Sequence, residues 1–198
     1  ALATYNEQDN IVDCLKSLKG IATEVIVVDG SSTDQTRQLA KKHKAKVYKT
    51  TNKPIFHINK NLAIKKCKGD WILQLDADER LTPELKEEIA QVLSGSYFGY
   101  TDWRSSKKYQ ADTPPVAYWL KRRNYFLGHY FTKSGQYPDP VIRLFRRGFA
   151  TLPAKSVHEQ MKVNGPLAWL KSDLDHFATP TFSRYIQREN RYSSLTAQ

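Results

Sequence analysis

The chain has 198 residues, 40% of them hydrophobic, and a formal net charge of +11. That length supports one domain, or one domain with an appendage, around a sizeable core. The apolar runs are too short to span a bilayer, and two cysteines, Cys14 and Cys67, are too few for a disulfide framework or a cysteine metal site. Both read as buried thiols of a reducing compartment. The start, ALATYNEQDN, has no signal-peptide pattern. It reads as the end of a strand whose beginning is absent, and the C-terminus stops within a helical pattern, so a longer parent chain fits the sequence. Charge is unevenly placed, with 15 basic against 13 acidic residues over 1–98 and 16 against 7 over 99–198. Basic surface attracts nucleic acid, anionic headgroups or phosphorylated substrates, and basicity alone does not choose among them.

Ala1 to Thr4 is a strand end. Asn6 has the chemistry of a helix cap, with Ile11, Val12, Leu15 and Leu18 on one face behind it and Gly20 at the end. Glu24 to Asp29, EVIVVD, is a continuous apolar run closing on a carboxylate, the pattern of a buried parallel strand. In Gly30 to Thr36, Ser32 and Gln35 have capping-box spacing, which predicts a helix to about Lys44. Ala45 to Lys49 is a short strand, and Asn59 to Lys68 another helix. Gly69-Asp70 turns the chain into a buried strand, Trp71 to Asp76, which leads into Asp76-Ala77-Asp78. Thr82 then caps a helix with Pro83 at its first position and Leu85, Ile89 and Val92 as its apolar stripe. Strand and helix alternate over residues 1–93, which predicts an α/β fold, a parallel sheet with helices on both faces.

Beyond Gly95 the pattern breaks. Ser96 to Trp103 and Val141 to Arg147 are predicted strands. Residues 104–140 are poorly periodic, and residues 156–176 are mixed. Thr181 to Ala197 is a predicted helix with Phe182, Tyr185, Ile186 and Tyr192. This half reads as a substrate-specific elaboration rather than a second domain.

Three polar clusters fall at strand ends: Thr4-Tyr5-Asn6-Glu7, Asp29-Gly30-Ser31 and Asp76-Ala77-Asp78. In a parallel sheet these ends share one edge, where ligands of open α/β sheets bind. Helix caps account for Asn6 and Ser32, but not for apolar strands that twice end on Asp. Such carboxylates suit a divalent cation, which takes hard oxygen ligands, and a nucleoside diphosphate needs its charge neutralised. Neither GxGxxG nor GxxxxGK[ST] occurs, which argues against a dinucleotide fingerprint and a P-loop.

TYNE (4–7), EVIVVDGSSTDQT (24–36), KNLAI (60–64) and GDWILQLDADE (69–79) together resemble the family 2 glycosyltransferases, which have the GT-A fold. NYFLG (124–128), YPDPVIRLFRR (137–147), VHE (157–159) and NRYS (190–193) are similar to a small bacterial branch that includes lipopolysaccharide core β-glucosyltransferases. The resemblance implies a single GT-A domain, with a Rossmann-like, mostly parallel sheet and a mixed C-terminal part. Residues 1–95 would form the nucleotide-sugar half and 96–198 the acceptor half. Thr4, Tyr5, Asn6 and Glu7 would line the nucleotide pocket, and Asp29 would accept a hydrogen bond from uracil. Lys60 and Asn61 would contact phosphate or ribose. Asp76, beside Ala77, would lie against ribose and metal, and Asp78 would hold Mn²⁺ or Mg²⁺ on the diphosphate. The metal neutralises the leaving group.

Family enzymes of this type invert the anomeric centre, which needs a base for the acceptor hydroxyl. The resemblance assigns that role to Glu159, although VHE departs from the usual Glu-Asp; Asp139 is the alternative. His158 and His176 are metal ligands, orienting partners or structural residues. Arg143 and Arg147 would face one way along their strand and Arg146 the other, so one face meets a phosphate group or the strand is a solvated edge. The stretch Tyr118 to Phe131, with Trp119, Arg122, Arg123, Tyr125, Phe126 and Tyr130, suits the headgroup zone of a membrane or packs over the sheet.

The expected function is transfer of a hexose from a nucleotide sugar to a cell-envelope glycan or lipid-linked acceptor. The expected place is the cytoplasm, at the inner face of an anionic membrane, with no nucleic-acid partner. One alternative is a basic nucleic-acid-binding protein, which leaves the strand-end aspartates unexplained because carboxylates repel phosphate. The other is a nucleotidyltransferase, which usually brings a glycine-rich basic loop where this chain has the acidic TYNEQDN.

Overall fold

The computed structural model describes residues 1–110, 112–133, 135–154, 160–179, 181–183, 185, 186, 190 and 193. In the first half, the strands β1 (Leu2–Thr4), α1 (Ile11–Ser17) behind it, β2 (Ile26–Asp29), α2 (Thr36–Lys42), β3 (Lys46–Lys49) and α3 (His57–Lys66) alternate as the periodicity requires. The three strands are parallel and lie in the order β1-β2-β3, with Leu2 registered on Val27 and Ile26 on Lys46. Ile26, Val27, Val28 and Asp29 are all buried, which is why that run is continuously apolar up to its carboxylate.

β4 (Trp71–Leu73) follows, and the chain passes through Asp76-Ala77-Asp78 into β5 (Glu79–Leu81) and α4 (Pro83–Leu93). Thr82 caps α4 by accepting the Leu85 N–H at 3.2 Å, with Pro83 in the first turn. Leu85, Ile89 and Val92 are buried, each contributing about 1.5–3 kcal/mol of burial. The second half is strand-rich: β6 (Ala117–Phe126), β7 (His129–Tyr130), β8 (Asp139–Arg146), β9 (Ala150–Thr151), β10 (Lys162–Val163) and β11 (Leu167–Thr179). β9 and β10 pair antiparallel by themselves, and the others build a mixed sheet with β4 and β5 in the order β4-β8-β6-β11-β5, in which β6 and β11 run parallel and the other neighbours antiparallel, with β7 on β6. Parallel pairing therefore joins β1, β2 and β3 in the first half and β6 and β11 in the second.

The two sheets meet where Leu2 bridges Leu75, reinforced by the Ala1 amino group on the Leu73 carbonyl at 2.8 Å and the Leu75 N–H on the Ala1 carbonyl at 3.1 Å. Leu2, Ile11, Leu75, Leu85, Tyr118, Leu144 and Leu170 share one core, so both halves close over the same apolar interior. Both cysteines are free; Cys14 is buried and Cys67 partly so. Among the described residues, no helix is long and apolar enough to cross a membrane.

Several local expectations are corrected. α1 starts at Ile11 with Asn10 before it, because Asn6 sits at φ +54° and its Oδ1 accepts the Thr33 N–H. The Ser32–Gln35 capping box does not form, since Ser32 donates to Asp29 and α2 begins at Thr36. Ser96 to Trp103 is not a strand; within it only Tyr100 bridges, to Lys108 and Trp169. Gly99 there has φ +81°, and a Cβ on it would lie 2.6 Å from the Trp169 carbonyl, so no side chain fits at that crossing. Residues 104–140 contain β6, and 13-residue β11 runs through the mixed stretch. Arg147 lies beyond β8, so it does not share a face with Arg143. Of the expected C-terminal helix, Phe182, Ser183, Tyr185, Ile186, Asn190 and Ser193 are helical and Thr181 is a bend; the rest, Tyr192 included, lies outside the described residues.

Thr82 ties α4 to the mixed sheet as well, donating to the Asp173 carbonyl at 3.0 Å. Thr82→Ala removes the cap and this tie together. A loss of about 1–2 kcal/mol in urea unfolding is expected.

Candidate active site

At the ends of β1 and β2 the loops are pinned to each other. Asp29 is fully buried and accepts from Thr4 Oγ1 at 3.1 Å, Ser32 N–H at 2.9 Å and Ser32 Oγ at 2.5 Å, with Arg37 Nε 3.4 Å away. Asn6 N–H donates to Ser32 Oγ at 2.9 Å, and Glu7 N–H to Thr36 Oγ1 at 2.8 Å. Asn6 and Ser31 both hold left-handed backbone, at φ +54° and +69°, a conformation that costs non-glycine residues about 1 kcal/mol or more and needs such surroundings to persist. Gly30 sits against the loop after β3, where a Cβ would meet Asn52 at 3.1 Å.

The third strand end carries a dense ionic cluster. Asp76 receives Lys60 Nζ at 2.5 Å and Arg143 Nη2 at 2.8 Å. Glu79 has no exposed surface; its Oε1 accepts from Arg143 Nη2 at 2.6 Å and Arg122 Nη1 at 3.3 Å, and its Oε2 from the Asp76 N–H at 3.0 Å. Gln74 Oε1 takes a further Arg143 donor at 2.7 Å. Arg122 then reaches Asp139 Oδ2 through Nε at 2.9 Å and Nη2 at 2.6 Å. Asp78 faces His176, with Oδ2 3.4 Å from Nε2, and His176 Nδ1 lies 2.6 Å from Asn124 Oδ1. Among the described residues, Asp78 is the one carboxylate of these four without a Lys or Arg in ion-pair range.

Burial alone would raise these carboxyls. Lys60 and Arg143 reverse that at Asp76, His176 at Asp78 and Arg122 at Asp139, so all three are held below the ordinary carboxylate value. Burial likewise pulls the Lys60 ammonium down, against the pull of Asp76.

The expected residues divide into those the fold brings together and those it does not. Thr4, Asn6 and Glu7 stand beside Asp29 in the loop clasp, while Tyr5 is exposed. Lys60, Asp76 and Asp78 join the ionic cluster with Ala77 buried between the last two. Asn61 is turned elsewhere: its amide exchanges two hydrogen bonds with the Leu152 backbone, at 2.7 and 3.1 Å. Asp139 joins the cluster; Glu159 and His158 lie outside the described residues. Tyr118 is buried, Arg123 pairs with Asp175 at 2.7 Å and Arg122 with Asp139, so the strand part of this stretch packs into the mixed sheet, while Leu127 and Phe131 beyond it are exposed. Glu79, Gln74, Arg122 and Asn124 were not expected as catalytic or ligand-binding residues, whereas His176, one of the two histidines considered as metal ligands, faces Asp78. For Glu79 a signal was present, a third acid after the Asp pair, and the lone cation Arg143 inside the apolar run VIRLF called for such a buried partner, since an unpaired charge is not tolerated there.

Two outcomes follow from the geometry. Arg143→Leu leaves Glu79 and Asp76 short of a countercharge and is expected to cost about 3–5 kcal/mol in chemical unfolding. Since Asp76, Asp78 and Asp139 have lowered folded pKa values, their stabilisation is complete above the unfolded pKa of about 3.9 and is lost as pH falls through the lower folded values. The unfolding midpoint should fall below about pH 4, and less steeply in Asp76→Asn.

A family model, Glycosyl transferase family 2, matches residues 1–151. An uncharacterized glycosyltransferase of Rickettsia felis is 41% identical over 212 residues, covering 100% of this chain and 68% of its own length. Lipopolysaccharide core biosynthesis glycosyltransferase LpsC of Rhizobium meliloti is 28% identical over 203 residues, covering 97% and 67%. An uncharacterized glycosyltransferase of Rickettsia typhi is 28% identical over 208 residues, covering 100% and 65%, so this chain spans about two thirds of the length of these relatives. Among solved structures, S. aureus TarS 1–349 aligns with TM-score 0.56 at 20% identity, covering 89% of this chain and 59% of that one. Mannosyltransferase PcManGT from Pyrobaculum calidifontis aligns with TM-score 0.57 at 16% identity, covering 96% and 59%. These are GT-A structures, the fold that the motifs led us to expect. Matched by the family model over residues 1–151 and by the Rickettsia felis relative along its whole length, the chain belongs to glycosyl transferase family 2.

Proposed function

We propose that the chain carries an inverting, metal-dependent transfer of a hexose from a nucleoside diphosphate sugar, UDP-linked, to a cell-envelope glycan or lipid-linked acceptor such as lipopolysaccharide core. The observation that carries this reading is Asp78, a partly exposed carboxylate left without a Lys or Arg partner among the described residues. Around it, three fixed cations, Lys60, Arg122 and Arg143, face four carboxylates, Asp76, Asp78, Glu79 and Asp139. The formal balance is one negative charge with His176 neutral, which repels a diphosphate; a dication reverses the sign. Similarity to LpsC supports the acceptor class, and the likeness to TarS, solved in complex with UDP, supports the donor. PcManGT is described with GDP-Man and Mn²⁺.

The donor set fits such an ion. Asp78 Oδ2 and His176 Nε2 lie 3.4 Å apart, close enough for adjacent ligands of one cation. Among the described residues no group of three or more His, Cys, Asp or Glu is arranged to hold a metal, so of these residues Asp78 and His176 would hold the ion together with the diphosphate. Mn²⁺ or Mg²⁺, when bound, neutralises the leaving diphosphate. Lys60 and Arg143 fix Asp76 as an ionised acceptor for the ribose side. Thr4, Asn6, Glu7 and Asp29 shape the nucleobase end through the loop clasp. Asp139, already taking three donors on Oδ2, is a weak base. We therefore assign the base to Glu159, in the segment that follows Leu152 and Pro153, which Asn61 and His57 anchor.

Calorimetry with a panel of nucleotides and nucleotide sugars tests this reading. UDP or a UDP-hexose should bind only with Mn²⁺, and Asp78→Ala should weaken that binding about 100-fold; no binding with metal present rejects the site. Glu159→Gln should lower kcat about 10²- to 10⁴-fold while leaving donor affinity intact; an equal loss in Asp139→Asn alone would transfer the role.

The location we propose is the cytoplasmic face of an anionic membrane, through a different surface from the Tyr118 to Phe131 stretch. Residues 41–68 contain ten lysines and no Asp or Glu. Lys41, Lys42 and Lys44 at the end of α2, Lys46 and Lys49 on the edge strand β3, and Lys65 and Lys68 at the end of α3 are exposed, with Tyr48 and Ile58 among them. Two cations of the second half are spent internally, Lys121 on Asp173 and Arg123 on Asp175, while Lys107, Lys108, Arg146 and Arg147 are exposed but interspersed with acidic or apolar residues rather than gathered in one run. Lysines are point charges that suit diffuse headgroups better than base recognition, each contributing about 1 kcal/mol near such a surface. Co-sedimentation with phosphatidylglycerol-containing vesicles, and not with phosphatidylcholine alone, is expected. It should be abolished in a variant with Lys41, Lys44, Lys65 and Lys68 changed to Glu. Binding of RNA in preference to vesicles, lost in the same variant, would favour the nucleic-acid reading instead.

A further inference from the structure

Asn124 joins the Arg122–Asp139 pair to the Asp78–His176 pair. It lies on β6, and β11 places His176 directly beside it in register, with Glu79 of β5 on the other side of His176. Its Nδ2 donates to Asp139 Oδ2 at 3.1 Å, and its Oδ1 stands 2.6 Å from His176 Nδ1. Two guanidinium N–H groups of Arg122 already point at that same Asp139 oxygen. Asp139 Oδ2 is therefore an acceptor, and the amide end facing it must be the NH₂ end. The other end is a carbonyl oxygen, which only accepts. His176 Nδ1 must then carry a proton.

We infer that Asn124 is a positioning residue that holds His176 as the Nδ1–H tautomer and aims its Nε2 at Asp78. The opposite tautomer sets a ring lone pair against the Asn124 oxygen at 2.6 Å. Flipping the amide sets that oxygen against Asp139 instead. Either way two acceptors face each other, so the relay from Arg122 through Asp139 and Asn124 to His176 has one consistent arrangement. While the ring is neutral, the consequence is a nitrogen lone pair directed at the Asp78 carboxylate, an unfavourable pairing that a cation between them, or a second ring proton, relieves. That cation rests on the metal reading above; the tautomer itself does not.

Long-range ¹H–¹⁵N correlation spectra of ¹⁵N-histidine-labelled, metal-free protein test the inference. His176→Gln identifies the His176 signals among the five histidines. Across a pH series, once the ring carries a single proton, the wild type should show protonated Nδ1 and unprotonated Nε2. In Asn124→Leu the proton should move to Nε2, which then donates to Asp78. A wild-type His176 protonated on Nε2, or a tautomer unchanged in folded Asn124→Leu, overturns the inference. Should Asn124→Leu fail to fold, the wild-type spectrum alone decides. A separate Mn²⁺ titration with UDP should show Asn124→Leu weakened about 10- to 100-fold. An intact tautomer with no metal binding at all would sink the metal reading and leave the Asn124 assignment standing.

Discussion

Glu79 is a carboxylate with no exposed surface, and its neutralisation by Arg143 is the contact on which the surrounding structure depends. An unpaired charge at that depth would cost several kcal/mol. The pairing is satisfied only when β5, β8 and β6 assemble, because Arg143 comes from β8 and Arg122 from β6. Glu79 also accepts the Asp76 N–H. The interaction that closes the mixed sheet therefore also fixes the backbone of the turn that presents Asp76 and Asp78.

That arrangement separates two carboxylates only one residue apart. Asp76 is turned toward Lys60 and Arg143, and its charge is spent inside the protein. Asp78 is turned toward His176. The same turn thus yields one carboxylate that organises its neighbours and one that, among the described residues, no Lys or Arg pairs with. Arg122 carries this order outward to Asp139.

The opposite end of the site is ordered by hydrogen bonds gathered on one buried carboxylate. Asp29 has its oxygens occupied by Thr4 and Ser32, which in turn fix Asn6 and the start of α2. Polar residues at these strand ends act first on each other. The two left-handed residues, Asn6 and Ser31, mark where the loops are held in place by these contacts and not by local preference.

The parallel first half was legible because its signals are local. Apolar runs closing on Asp identify the strand ends, and Thr82-Pro83 identifies the start of α4. The convergence of Thr4, Asp29 and Asp76 could be read in outline for the same reason. The long strands β6 and β11 were obscured because their alternation is charged: Lys121 matches Asp173 and Arg123 matches Asp175 only across strands. The exposed lysines were hidden within a half-chain total, since α2, β3 and α3 gather them only on folding. What the sequence determined by itself was the family, the α/β order of residues 1–93 and the identity of the strand-end carboxylates. Only the tertiary structure decided that Asn6 and Ser32 clasp loops, that Asn61 holds Leu152, and that Asp76 is neutralised while Asp78 faces His176. The physical reason is that a side chain's role is set by the partner that desolvates it, and here those partners lie tens of residues away in the chain.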